Sequence, residues 1–411
     1  MESPEGLTLA VLAALLTVWA LVGRRAEAWG ITAPIAFLAA GLALGTRVGL
    51  DLGAPSVHLL AELALVLVLF HDASTVGLRD LRRDPWIAVR LLAMGFPLAV
   101  LLTTGVTLWM IPTLGIAGAL LVAAAVSATD ASLGAPTVLN PAVPIRVRRA
   151  LNVESGLNDG LATPIVIVAI GALVANADTT EGVAEAAAVE LPRGLLGIAV
   201  GIVLGAGIAR AMDWTRGHRY SDLAARGLGV LALPLLTFGV AELLHANVFL
   251  AAFMGGLAFG RVSRAVHDEP EVTEPLETAA DVLGVALWFL AGGLMITVFA
   301  RGFRIEWLVL AVLALTALRM VPVALALLGS GLQTPTRLFL GWFGPRGVAT
   351  IVFGLLTVEA LSEDPRTSDI VGIFTLTILL SVLAHGLTAT PFANCYAAWA
   401  RPTGAAAHER L

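Results

Sequence analysis

The chain is 411 residues long, 58% hydrophobic and only 13% charged, about half the charged fraction of an ordinary soluble domain. A net charge of −5 with no basic cluster among aromatics gives nucleic acid no footing. The single cysteine, Cys395, excludes an internal disulfide and any thiolate-rich metal site.

Apolar runs of roughly 17–25 residues, enough to cross a ~30 Å hydrocarbon core, recur from end to end. They predict an all-α polytopic membrane protein with thirteen transmembrane helices. In chain order the spans are 7–23, 29–46, 56–72, 87–111, 114–138, 150–175, 190–212, 225–243, 246–261, 276–298, 305–329, 335–357 and 369–393. The first, LTLAVLAALLTVWALVG, has neither a basic leader nor a small-residue cleavage site, so it reads as a retained helix. The connections are short, no stretch is long enough for a soluble domain, and residues 396–411 read as a brief tail.

All 25 basic residues are arginine. Seventeen of them, including Arg24, Arg25, Arg82, Arg83, Arg148 and Arg149, fall after odd-numbered spans or in the tail. Arg47, Arg193, Arg301, Arg304 and Arg366 fall on the other side. The positive-inside rule then puts the N-terminus outside and the C-terminus in the cytoplasm of a cell (inner or plasma) membrane.

Thirteen helices accommodate two six-helix repeats, 1–176 and 223–395, around a linker helix at 189–212. An offset of seven helices inverts one repeat against the other, a plan common among secondary transporters. Interrupted helices stand at matching places in the two halves, with SATDASLGAP (127–136) in span 5 and GWFGPRGVAT (341–350) in span 12. Glycine, proline and a charge at mid-span predict an unwound helix lining a site.

Ionisable groups near the bilayer centre cost at least ~2.5–3.5 kcal/mol and demand a partner or a function. Asp130, Glu154, Asp159, Arg319 and Arg346 lie there, and Glu62, Arg90, Glu242 and Asp281 lie in less central positions. In ESGLND (154–159), Glu154 and Asn158 share one helix face, and Ser155 and Asp159 the next. The Ser155 hydroxyl, the Asp159 and Asp130 carboxylates and a freed Thr129 carbonyl are hard oxygen donors suited to an alkali cation. Two facing aspartates repel unless a cation or a proton separates them. Glu154 reads instead as the partner of a buried salt bridge to Arg319 or Arg346, and Arg346 as an offset to the negative end of a half-helix. Asp72 is either a helix-end anchor, the reading favoured here, or a gate-side acid. His58, His71, His245 and His385 are assigned no role.

At these residues the chain resembles the monovalent cation:proton antiporters, specifically the sodium/hydrogen exchanger-like bacterial NhaP-type branch with an Asn-Asp pair. The resemblance is carried by LVLFHDASTVGLRDLRR (66–83), SATDASLGAPTVL (127–139), VPIRVRRALNVESGLNDG (143–160), ALRMVPVAL (317–325), RLFLGWFGPRGVAT (337–350) and LLSVLAHGLTATP (379–391), and covers nearly the whole chain. It implies a homodimer in which a core bundle of spans 4–6 and 11–13 slides against a dimerisation bundle. It also implies Asp159 and Asp130 as carriers of cation and proton, Thr129 and Ser155 as Na+ ligands, and Asn158, Glu154, Arg319 and Arg346 as support. One departure is Ala131 after Asp130, where many relatives have proline, with Gly134 and Pro136 further on.

The expected function is Na+ (and Li+) for H+ antiport by alternating access, with no cofactor and no enzymatic activity. A buried carboxylate prefers its neutral form while a bound cation favours the ionised one, so the two ions compete for Asp159. Asn158 cannot titrate, whereas relatives with two adjacent acids move more protons per cation, so the exchange is expected to be electroneutral. K+/H+ antiport is the alternative, and a sodium-coupled organic-anion symporter of similar fold ranks lower. A membrane sensor lacks an output domain, and an intramembrane enzyme lacks a nucleophile pair or metal constellation at membrane depth.

Overall fold

A computed structural model describes residues 4–49, 51–76, 85–130, 133, 140 and 142–400. The described residues form helices and no strand. They are α1 (Pro4–Ala28), α2 (Ala33–Leu44), α3 (Pro55–Thr75), and α4, which runs from Pro85–Arg90 through a π-helical turn at Leu91–Gly95 into Phe96–Met110. Next come α5 (Gly115–Ser127), α6 (Ile145–Val174), α7 (Thr180–Gly217), α8 (Leu223–Leu243), α9 (Val248–Val262) and α10 (Glu274–Arg301). The chain ends with α11 (Ile305–Leu315), α12 (Ala317–Ala326), α13 (Thr334–Trp342), α14 (Val348–Ala360) and α15 (Arg366–Ala400).

Nine helical stretches among these residues are long and apolar enough to cross a membrane. Four shorter apolar helices, Ala33–Leu44, Pro112–Ser127, Val248–Val262 and Val348–Ala360, overlap the predicted spans 2, 5, 9 and 12. Helix starts follow local chemistry. Thr179, Asp222 and Asn247 accept the N–H of Gly182, Ala225 and Leu250, capping α7, α8 and α9.

The linker helix needs correction. Expected at 189–212, it runs from Thr180 to Gly217. Its first turns, TEGVAEAAAVE, are too polar for a hydropathy window, yet they are alanine-rich and follow a threonine cap, which favours helix. The last helix likewise continues to Ala400, past the expected end of span 13. Ala131, Gly134 and Pro136, and with them the far side of the span 5 interruption, lie outside the described residues, as do the tail residues 401–411.

Two packing groups emerge. In one, α7 lies along α9, α9 along α3, and α2 along α10; in the other, α4 packs on α5, α5 on α6, and α11 on α15. The α7–α9 seam is built on small residues, because Cβ atoms at Gly197, Gly201 and Gly205 would sit 2.4, 2.2 and 2.2 Å from the carbonyl oxygens of Asn247, Ala251 and Gly255. Backbones approach this closely in lipid because van der Waals contact replaces a hydrophobic driving force. Gly201→Val is expected to push the helices apart at a cost of about 1–3 kcal/mol, read as a lowered thermal midpoint of the purified protein in detergent.

At one end of the second group, Asp178 Oδ1 accepts the Ala117 N–H at the start of α5, while Oδ2 pairs with Arg366 at 3.1 Å. Arg366 also bonds Asp364 and holds its carboxyl below the usual carboxylate range. This clamp ties the starts of α5 and α15 to the α6–α7 connection.

Candidate ion-binding site

Two helices break where they meet. α5 stops at Ser127 and leaves Ala128–Asp130 non-helical, and the stretch Phe343–Gly347 separates α13 from α14. The two unwound segments are joined by the Asp130 N–H, which donates to the Pro345 carbonyl at 2.8 Å. Asp130 Oδ2 in turn accepts the Val348 N–H at 2.9 Å, so this carboxylate caps the positive end of α14. Thr350 Oγ1 donates to the Ala125 carbonyl at 2.9 Å, closing the crossing on its other flank. A Cβ at Gly347 would lie 1.8 Å from Asp130 Oδ2, so only glycine lets the acid reach the helix end.

The ESGLND segment lies on α6 beside this crossing. Asn158 does not pair with Glu154, its neighbour on the helix face. It holds Thr129 instead, with the Thr129 N–H donating to Asn158 Oδ1 at 3.2 Å and Asn158 Nδ2 donating to Thr129 Oγ1 at 2.5 Å. Ser155 Oγ donates to the Thr129 carbonyl at 2.9 Å and stands 3.2 Å from Thr129 Oγ1. A carbonyl and a hydroxyl each keep a lone pair after such bonds, so Thr129 and Ser155 present a compact group of oxygens.

Asp159 is 5% exposed, and its Oδ1 has no hydrogen-bond partner among the described residues. An unsatisfied anionic oxygen at that depth is expensive, and it needs a ligand. Asp130 and Asp72 both lie within electrostatic reach of it. Asp72 also borders α6 directly, since a Cβ at Gly156 would touch its carbonyl oxygen and Cβ at 3.5 and 3.7 Å. Its Oδ1 lies 3.2 Å from His71 Nδ1 on the same helix. On α9, the Phe253 ring covers Gly160, where a Cβ would meet it at 2.5 Å. The site thus sits where α3 and α9 of one packing group face α5, α6 and α14 of the other.

The three remaining buried charges are structural neighbours. Glu154 and Arg319 form a 2.5 Å salt bridge, with side chains 3% and 5% exposed. The Arg346 guanidinium donates to the carbonyls of Gly344 and Ala314, the latter at 3.3 Å, near the ends of α13 and α11. That placement offsets the negative ends of two helices. Two supporting residues escaped the sequence reading. The Arg346 N–H donates to Ser381 Oγ at 2.7 Å, and Ser381 Oγ lies 3.2 Å from His385 Nδ1. His385 Nε2 in turn donates to the Trp342 carbonyl at 3.0 Å. The chain Arg346–Ser381–His385–Trp342 pins the break to α15. The serine and histidine four residues apart in LLSVLAHG were the available signal.

The chain belongs to the sodium/hydrogen exchanger family, since residues 10–395 match the family described as "Sodium/hydrogen exchanger, transmembrane". It is 27% identical over 315 residues to a Na(+)/H(+) antiporter of Schizosaccharomyces pombe, covering 70% of this chain and 67% of that protein. It is 25% identical over 392 residues to the K(+)/H(+) antiporter NhaP2 of Shewanella baltica, covering 93% of this chain and 66% of that protein. Against Na(+)/H(+) antiporter 2 of Zygosaccharomyces rouxii it is 26% identical and spans 36% of that protein's length. The fold is similar to that of the sodium proton antiporter MjNhaP1 from Methanocaldococcus jannaschii, with a TM-score of 0.74 at 20% identity, covering 96% of this chain and 100% of that one.

Proposed function

We propose that the chain exchanges sodium, and lithium, for protons across a cell membrane, one for one, with Asp159 as the exchanging carboxylate. The observation that carries the reading is the buried Asp159 oxygen with no partner among the described residues, beside the oxygens of Thr129 and Ser155 and within electrostatic reach of a second acid, Asp130. A sodium ion bound there is held by hard oxygen ligands, and a proton on the same carboxylate neutralises it equally well. Cation and proton therefore compete for one charge. The empty, charged site crosses the dry interior least readily, and that asymmetry couples the two flows.

The moving part in this reading is the group containing α4–α6 and α11–α15, sliding against the group containing α3 and α7–α10 in a homodimer. The two broken helices, one in each half of the chain, support two inverted six-helix repeats around α7 and thirteen crossings in all. The arginine bias puts the N-terminus outside and the C-terminus in the cytoplasm. Electroneutrality follows from Asn158, whose amide is committed to Thr129 and cannot titrate.

Potassium is the second reading, favoured by the 93% of this chain that aligns with a K(+)/H(+) antiporter. Proteoliposomes carrying a pH gradient decide between them, with sodium, potassium and lithium added in turn. The expected result is gradient dissipation by sodium and lithium at a rate insensitive to a valinomycin-clamped membrane potential. Dissipation by potassium alone would replace sodium with potassium, and a rate that tracks the clamped potential would remove the one-for-one stoichiometry.

A further inference from the structure

On the orientation given above, the ion site has different surroundings on its two sides. Toward the cytoplasm, the Asp72 and His71 side chains are 26% and 20% exposed. Exposed Asp281 on α10 is within electrostatic reach of Asp72 and Asp130. Toward the outside, acids recur only at Glu62 on α3, which is in reach of Glu359 on α14 and Glu242 on α8. Before that level, residues 63–70 of α3, 348–358 of α14, 248–260 of α9 and 160–174 of α6 carry no titratable side chain. The eleven residues of α14 alone span about 17 Å, a dry barrier to any ion.

The Phe253 ring stands at the inner edge of this barrier. It comes from α9, in the group of α3 and α7–α10, and is 7% exposed. The ring lies on α6 at Gly160, the residue after Asp159. A Cβ at 160 would come 2.5, 2.6 and 2.7 Å from Phe253 Cδ2, Cε2 and Cγ, so a ring sits this close only on glycine. Between Ile145 and Ile170, α6 has one other glycine, Gly156. Gly156 lies one turn nearer the cytoplasm on the same face. A Cβ there would meet Val76 Cγ2 of α3 at 3.3 Å, with the Asp72 carbonyl oxygen at 3.5 Å. So α6 carries two seats for a ring, about 6 Å apart, and Asp159 lies between them.

We propose that Phe253 gates the exchange by changing seats. α6 steps one helical turn outward past α9, and the ring passes from Gly160 to Gly156. The ring then covers the cytoplasmic side of Asp159 instead of its outer side, so one fixed side chain closes each face of the site in turn. The step is a whole turn because Leu157, Asn158 and Asp159 all have a Cβ where the ring would rest, and close-packed surfaces hold discrete registers. The same step brings exposed Asn152, one turn before Gly156, opposite Asp72 and Val76. The structure is the register in which the outside is closed. The consequence for exchange rests on the antiport reading, while the change of register does not.

Disulfide trapping in proteoliposomes reads the register without transport. In a Cys395→Ser background, Phe253→Cys is paired with Gly160→Cys, Gly156→Cys or Leu161→Cys, and oxidation is scored as loss of maleimide labelling. The Phe253 and Gly160 positions satisfy the Cβ separation of about 3.5–4.5 Å that a disulfide needs, so this pair is expected to close. The Gly156 pair is expected to close as well, because the step delivers it. The Leu161 pair, on a lipid-exposed position, is expected to stay open. Adding Asp159→Asn is expected to leave this pattern unchanged, so closure of both pairs in a protein that exchanges no ions would sink the antiport reading and keep the step. Gly156→Ala is expected to hold its thermal midpoint, since the valine methyl can yield, yet to slow sodium-dependent proton flux about tenfold or more by crowding the second seat. Phe253→Leu in the same protein is expected to restore flux, which a purely structural role for Gly156 would not allow. A Gly156 pair that stays open while the Gly160 pair closes, or a Gly156→Ala protein with wild-type flux, overturns the proposal.

Discussion

Asp159→Asn is expected to reduce sodium-dependent proton flux in proteoliposomes to the protein-free background while leaving the thermal midpoint unchanged or raised. The two halves of that result have one cause. Asp159 is buried with an unpartnered carboxylate oxygen and two other acids in reach. Burying an ion without a partner costs several kcal/mol, so replacing it with a neutral amide of the same shape relieves the fold. The amide neither binds a proton nor balances a cation, so the flux has no carrier. Asp130→Asn has a different signature, because Asp130 also caps α14 through the Val348 N–H. Its amide oxygen still accepts that bond, but the charge facing the helix end is lost, and the midpoint is expected to fall along with activity. A stable Asp159→Asn protein that still exchanges sodium for protons would return this residue to a packing role and remove the site.

Arg319→Met is expected to be the most destabilising single change among the residues discussed. It strands Glu154, 2% exposed and otherwise paired at 2.5 Å, as a buried anion without its cation. Breaking a buried pair from one side costs about 3–5 kcal/mol, whereas replacing both partners by apolar groups of similar volume is often neutral. Arg319→Met combined with Glu154→Met is therefore expected to recover most of the loss. Thermal or denaturant unfolding of the four proteins of this cycle gives the coupling directly. Arg346 lies within electrostatic reach of both residues and moderates the single variant without replacing the bond. Equal loss in the single and double variants would show that the packing of the long side chains, and not their charges, holds α6 to α12.

The membrane class, the approximate helix positions and the buried charges were legible because each rests on a local property. A long apolar run needs only its own composition to be recognised, and a charge inside such a run stands out at once. So Asp130, Glu154, Asp159, Arg319 and Arg346 could be picked from the chain, and all five are buried. The glycine and proline of GWFGPRG likewise announced the break that falls at Phe343–Gly347. Polar helix was harder to see: the first turns of α7 look like loop to a hydropathy window and are fixed by a threonine cap and alanine propensity.

What each polar group bonds was decided only by the tertiary structure. Helical spacing put Asn158 beside Glu154, yet Asn158 holds Thr129 from an unwound stretch twenty-nine residues earlier. Asp130 read as an open ligand, but it caps a helix 218 residues away. His385 and His58 are assigned no role from sequence and Ser381 is not singled out, because nothing local reveals that their partners are Trp342, Glu359 and Arg346. The physical reason is that propensity, hydropathy and the cost of burying charge act along the chain or between a residue and its solvent. Hydrogen bonds act over about 3 Å between atoms that only the crossing of distant helices brings together.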